Sequence, residues 1–368
     1  MPLNTTERTS LQGAPQPARR RGRALTIIAA VCVVALVGAI AYVAWQRANA
    51  TPQVYGGSIT ANDLLTQVTL DPARGVWAVG MRYDAPLPQA GKPVAALILH
   101  LEGGHWVVSK QLDATFGDTI TSIVMPSADE GWAVGGAGAT SGLILHYQHG
   151  SWSELSFHPH GVLNAITMVS PTEGWAVGGV PGADGATTIL HYIHGAWSEV
   201  PSPGPGNLTA IGMSSTTAGW AASVATSGQR MTFLRYANDA WTPESFVVNG
   251  YIRGIAAPSP EEAWAVGDSI YHYSFGAWAN VGGPTGATIS GIAMSYPRDG
   301  WAVGDPSNTK TSVIWRYSNG AWTQVNSPTR QPLLSVASIS PREAWAVGES
   351  GVILHYSGGA WSLVNGPA

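Results

Sequence analysis

Ten histidines and 22 carboxylates are the first residues to weigh for chemistry, and most of them recur at fixed places. His100, His146, His191, His272 and His355 share one position of a repeat, which Arg235 and Arg316 fill in two further copies. A catalytic side chain is needed once, so a seven-fold series predicts a structural role, bonding a neighbouring strand or packing beside a tryptophan. The pairs His146/His149 and His191/His194 have metal-like spacing, but no Cys or acid completes a tetrahedral set. No metal is expected. Acids recur in the same serial way at Glu130, Glu173, Glu262, Asp299 and Glu343, which reads as turn chemistry. His158 and His160, in Phe157-His158-Pro159-His160-Gly161, break the repeat on a connecting segment. They are candidates for binding a ligand or sensing pH.

Little else could catalyse a reaction. No Gly-x-Ser-x-Gly elbow or Walker loop is present. No carboxylate pair stands apart from the serial acids as a glycosidase site would require. No catalytic residue and no cofactor is assigned. One series does contain an informative exception. Near the start of the first strand of each repeat stand Thr66, Thr121, Asn164, Thr209, Arg253, Ser290 and Ser335. Arg253 is the only charge among them. If these residues ring a channel mouth, Arg253 would hold an anionic ligand, with Asn164 and Gln67 as further candidates.

The elements that must position these residues follow from tryptophan spacing. One tryptophan of each copy opens Trp-Ala-Val-Gly at Trp77, Trp132, Trp175, Trp264, Trp301 and Trp345, with Trp220-Ala221-Ala222 as the variant. A second follows at Trp106, Trp152, Trp197, Trp241, Trp278, Trp322 and Trp361. In the second copy, Thr119 to Met125, Gly131 to Gly135 and Leu143 to Tyr147 read as strands, and Trp152 opens a fourth. Seven such units predict an all-β, seven-bladed β-propeller of four-stranded antiparallel blades over residues 61–368. The first strand is expected to be innermost and the tryptophans to pack between neighbouring sheets. Insertions cluster between the second and third strands, at 84–94 and 180–186, and mark one face as a binding face.

The Gly-Trp-Ala-Val-Gly strand, the Gly-x-Ile-Leu strand and the Gly-x-Trp turn resemble the propeller repeats of the Ycf48/HCF136-like photosystem II assembly factors. They are similar, more remotely, to Asp-box repeats of sialidase-type propellers. The resemblance spans all seven repeats and implies a propeller acting as an extracytoplasmic scaffold. The turn before the second tryptophan departs from that pattern: Gln148-His149-Gly150-Ser151-Trp152 lacks its Asp.

Composition bounds the rest. The chain has 368 residues, 45% hydrophobic and 11% charged, with 45 Gly and 25 Pro, as many short strands and tight turns require. Residues 1–23 carry Arg8, Arg19, Arg20, Arg21 and Arg23 against Glu7, leaving 13 Lys/Arg against 21 Asp/Glu elsewhere. A mildly acidic body with scattered cations argues against nucleic acid as a partner. The only cysteine, Cys32, excludes an internal disulfide. Residues 24–45 are 22 uncharged residues with arginines abutting their N-terminal side, which predicts a transmembrane signal-anchor helix. The positive-inside rule then places a disordered basic tail, 1–23, in the cytoplasm and the propeller outside, after a linker at 46–60. Ala48-Asn49-Ala50 resembles a cleavage site, but the apolar run is longer than a signal peptide's.

Together these features predict a monomeric, membrane-anchored, extracytoplasmic propeller that binds a protein, peptide or glycan and is not an enzyme. The alternatives are a glycan-active hydrolase and a multivalent lectin on the same scaffold.

Overall fold

The Trp-Ala-Val stretch of the second strand in each repeat, or its Trp-Ala-Ala variant, is buried because it is covered on both faces. A computed structural model describes residues 59–365, apart from 88–90, 115–116, 139, 181–186, 205, 225–229, 284–285 and 306–311. The segments 1–23 and 24–45 and most of the linker lie outside the described residues. Among the described residues no helix is long and apolar enough to cross a membrane.

The described residues form 28 strands, numbered β1 to β28 in chain order, in seven antiparallel sheets of four consecutive strands each. Blade 1 comprises β1 (Asp63–Leu70), β2 (Val76–Tyr83), β3 (Pro93–Glu102) and β4 (His105–Asp113). The first strands of the other blades are β5 (Thr119–Val124), β9 (Val162–Ser170), β13 (Asn207–Ser215), β17 (Ile252–Ser259), β21 (Thr288–Tyr296) and β25 (Leu333–Ser340). Each packs against the first strand of the next blade, and β25 packs against β1. These strands therefore form the inner ring, as the sequence predicts. The ring closes between blades 7 and 1 without strand exchange among the described residues. Whether Thr51 to Val54 add a strand lies outside the described residues.

The core is seven seams rather than one centre. At the seam between blades 1 and 2, Trp77, Val79 and Ile98 meet Ile120, Ile123, Ala133 and Leu145. At the closing seam Leu65, Val68, Leu97 and Leu99 meet Trp345, Val347 and Ile353. At six of the seven seams the first-position tryptophan meets the second-position tryptophan of the next blade edge-on, and at the seam between blades 3 and 4 Trp175 meets Tyr236. Examples are Trp77–Trp152 at 6.1 Å and, across the closure, Trp345–Trp106 at 6.1 Å. Edge-to-face pairs of this kind add about 0.5–1.5 kcal/mol each beyond area burial.

A β-bulge interrupts the inner strand of every blade, for example between Leu65 and Gln67 and between Ile252 and Gly254. The bulge explains the glycine of Trp-Ala-Val-Gly. A Cβ on Gly267 would lie 1.7 Å from the carbonyl oxygen of Tyr251, and one on Gly135 1.8 Å from that of Thr119. Only blade 4 has a side chain there, Ser223.

The bulge register also corrects one alignment. The bulged residues are Thr66, Thr121, Asn164, Thr209, Arg253, Ser290 and Leu334. Ser335 belongs instead to the following series, Gln67, Ser122, Ala165, Ala210, Gly254 and Gly291. Apart from Gln67, the residues of that series are small because the next blade approaches closely. A Cβ on Gly291 would lie 2.9 Å from Cα of Ser335.

Candidate functional site

Antiparallel pairing sorts the connections onto two faces. The starts of the inner strands, the links between second and third strands and the links between blades lie on one face. The two hairpin turns of each blade lie on the other. Arg253, Asn164, His158 and His160 therefore share the first face.

Their roles within that face differ. Asn164 is half-buried, and its Nδ2 donates to Asn207 Oδ1 at 2.7 Å and to the Leu208 carbonyl at 2.7 Å, tying blade 3 to blade 4. Thr121 and Thr209, at the same bulge position, donate to the Leu163 and Ile252 carbonyls of their next blades at 2.7 and 3.1 Å. Gln67 Oε1 accepts the backbone N–H of Ile123, joining blade 1 to blade 2. Ser122 and Ser335 make the equivalent links to Ile166 and Val68 at 3.1 and 3.3 Å.

Arg253 makes no such link. It is exposed and has no hydrogen-bond or ion-pair partner among the described residues. Beside it Tyr251 is 56% exposed. Tyr251 is held by Asp268, whose Oδ2 accepts the Tyr251 N–H at 3.2 Å. In blade 5 the second-to-third connection is only Asp268 and Ser269, so no long loop of their own blade covers these residues. Sequence reasoning missed Tyr251; its signal was an aromatic residue directly before the inner strand in the copy with the trimmed loop. On the same face, burial and then the charge of Asp305 push the Glu349 carboxyl up.

His158 and His160 are exposed on the link between blades 2 and 3. His158 Nε2 lies 4.0 Å from Glu154 Oε1. The backbone N–H of His160 donates to Glu199 Oε1 at 3.4 Å, and its carbonyl accepts from Thr188. Among the described residues no three His, Cys, Asp or Glu side chains converge as a metal site would.

The serial histidines and acids sit near the opposite face and work together. Each histidine stacks on the tryptophan of its own blade, with ring separations of 3.8–4.2 Å and interplanar angles of 7–16°. His146 and His191 pair with Glu130 and Glu173 at 3.2 Å, and His355 lies 3.8 Å from Glu343. In blade 6 the same place holds Arg316, 4.4 Å over Trp301 and paired with Asp299. Burial lowers the pKa of His272 and His355, against the opposing charges of Glu262 and Glu343.

No protein-family model and no curated protein matches this chain. Solved structures do. A structure of YCF48 bound to D1 peptide superposes with a TM-score of 0.59 at 15% identity, covering 82% of this chain and 93% of that one. YCF48 from Cyanidioschyzon merolae gives 0.55 at 16%, covering 80% and 96%. The chain has a YCF48-like seven-bladed propeller fold. An inactive virginiamycin B lyase from Staphylococcus aureus, in complex with quinupristin, matches comparably at 0.59 and 16%, covering 81% and 96%. One scaffold thus carries both a peptide-bound protein and a lyase, and the likeness fixes fold rather than activity.

Proposed function

We propose that this protein is a non-enzymatic binding module that holds an extended peptide segment of a partner protein on its loop face. The observation that carries the reading is the unpaired Arg253 beside exposed Tyr251. At the same bulge position Thr121, Asn164 and Thr209 are occupied in joining blades. An exposed arginine and an exposed tyrosine two positions apart in the chain suit a carboxylate-bearing or aromatic peptide side chain, and Arg and Tyr are residues on which interface energy concentrates. Asp305 and Glu349 on the same face would meet a cationic residue of such a segment. The peptide in the YCF48 structure makes peptide the favoured ligand class over glycan. Asn164, Gln67, His158 and His160 remain further candidates around this mouth. The reading also keeps residues 24–45 as a membrane anchor with residues 1–23 cytoplasmic and the propeller, a monomer, extracytoplasmic. The arginines before that apolar segment support it.

The test is a peptide array probed with the full chain in detergent. Captured peptides should be acidic or aromatic. Arg253→Ala and Tyr251→Ala should each weaken capture by roughly tenfold, the cost of about 1.4 kcal/mol. Arg74→Ala, at a turn on the opposite face, should leave it unchanged. Capture indifferent to Arg253 and Tyr251 would remove this mouth as the site. Turnover of an arrayed peptide or glycan would refute the non-enzymatic reading.

A further inference from the structure

In most blades the residue two before the first tryptophan places a carboxylate near the histidine or arginine on the third strand. Glu130, Glu173 and Glu343 serve His146, His191 and His355, and Asp299 serves Arg316. Burial lowers the His272 pKa, and the charge of Glu262 opposes this. Two blades lack the acid. In blade 1 the position is Gly75, and Asp71 fills the space: its Oδ2 lies 2.1 Å from where a Gly75 Cβ would stand and accepts the Trp77 indole N–H at 3.4 Å. His100 there turns to Glu102 at 3.2 Å. In blade 4 the position is Ala218, at the start of β14 (Ala218–Val224), and nothing replaces the carboxylate.

The cation remains. Arg235, on β15 (Arg230–Ala237), is exposed and has no hydrogen-bond or ion-pair partner among the described residues. Its guanidinium stands 5.6 Å from the ring centres of both Trp220 and Tyr273, looser than the 4.4 Å of the paired Arg316 over Trp301. Where the missing side chain would reach, a cavity of about 420 Å³ opens. Three turns frame it: Thr217 before β14, Asn238 and Asp239 after β15, and Pro260 and Glu261 from blade 5. This cavity lies on the face opposite Arg253. Neither Asp239 nor Glu261 forms an ion pair with Arg235, although both line the same space.

We infer that this cavity is a binding site for a small zwitterion of amino-acid or dipeptide size, its carboxylate taking the place of blade 4's missing acid on Arg235. The fixed fork of a guanidinium matches a carboxylate bidentately, and Trp220 and Tyr273 fix the plane in which it sits. Asp239 and Glu261 disfavour a simple anion and favour a ligand that carries an ammonium group close to its carboxylate. The volume is within the range of small-molecule sites.

The probes are the twenty L-amino acids and glycylglycine, with N-acetylated counterparts, titrated into the full chain by calorimetry. At least one free zwitterion should bind saturably and at least threefold more tightly than its N-acetyl form. Ala218→Glu restores the acid that five other blades carry, so the variant keeps the fold. It should raise the melting temperature and weaken zwitterion binding at least tenfold. Arg235→Met, which retains the aliphatic stem over Trp220, should weaken it equally without raising the melting temperature. The absence of saturable binding by every probe overturns the site. So does binding that both substitutions leave within twofold of the unmodified protein. An N-acetylated probe binding as tightly as its free form overturns the zwitterion assignment.

Discussion

Gly131 has no side chain because Met125 already fills its space. A Cβ there would lie 2.2 Å from Met125 Sδ. The same pairing recurs as Met168 with Gly174, Met213 with Gly219 and Met294 with Gly300. Where the first partner shrinks, the second grows: blade 5 has Ala257 with Ala263, and blade 7 has Ser338 with Ala344. Six blades thus solve one packing problem with two answers, Met with Gly or a small residue with Ala, and blade 1 departs with Leu70 against Val76; interiors tolerate compensating swaps better than uncompensated ones. Gly131→Ala should therefore destabilise by about 1–3 kcal/mol through overpacking, and Met125→Ala by about 2–3 kcal/mol through the cavity it leaves. The double variant reproduces the blade 5 pair. It should cost less than the two single changes added together, by at least ~1 kcal/mol. Denaturant unfolding of the four proteins measures this, and simple additivity would show that the two side chains do not compete for one space.

Within a blade, the third strand carries a histidine or arginine over the tryptophan of the second strand, and pH acts on the histidine stacks. In blade 5, β19 (Ile270–Ser274) sets His272 on Trp264 of β18 (Glu262–Gly267), with ring centres 3.8 Å apart. Burial holds the His272 pKa below its ordinary value of 6.5, and Glu262 only partly opposes this. The unfolded chain then takes up the proton first, so this group's contribution is present above about pH 6.5 and is lost as pH falls below it. His355, facing Glu343, acts in the same direction. His272→Phe keeps the stacking and removes the titration. Its melting temperature should fall less than that of the unmodified protein between about pH 7.5 and about pH 5.5. Parallel declines would mean that protonating His272 is no harder in the fold than in the open chain. The sequence announces this stack only in outline. The shared repeat position of His100, His146, His191, His272 and His355 predicts structure over catalysis, and the stacking bears that out. It does not announce which acid meets which histidine or arginine, because the partners lie 12–18 residues apart and are joined by register alone. Arg253 was readable as an exception within a series. Tyr251 beside it was not, since its exposure depends on how short the neighbouring loop is. Ser335 was misplaced by one residue because a bulge adds a position that no spacing rule reveals.

At the scale of the whole ring, closure is the property that repeats alone do not determine. Seven equivalent seams were readable from seven tryptophan pairs, but a propeller can be closed by a borrowed strand or by seam packing. Here blade 7 is complete, from β25 through β28 (Ala360–Asn365), and blade 1 is complete from β1. Seam packing joins them: the Val68 N–H donates to Ser335 Oγ at 3.3 Å, Arg74 pairs with Glu343 at 3.4 Å, and Trp106 meets Trp345. The two ends of the ring also meet at one residue. Asn365 Nδ2 donates to the Gly351 carbonyl at 2.8 Å, and a Cβ on Gly351 would lie 2.4 Å from the Thr60 carbonyl oxygen. A short linker can therefore join residue 365 to residue 59 without crossing the ring. If the closing seam is equivalent to the other six, the ring can be opened elsewhere at little cost. A circular permutant so linked and opened between Gly286 and Ala287, on the link between blades 5 and 6, should fold to the same propeller. Joining ends that already lie together removes little chain entropy and breaks no sheet. Its melting temperature should stay within roughly 5 °C of the parent, the shift that a change of one to two kcal/mol makes in a domain of this size. Calorimetry together with tryptophan fluorescence measures this. A permutant that fails to fold, or that melts in two steps with blades 6 and 7 released first, would mean that the seam between blades 7 and 1 depends on residues before 59 rather than on its own packing.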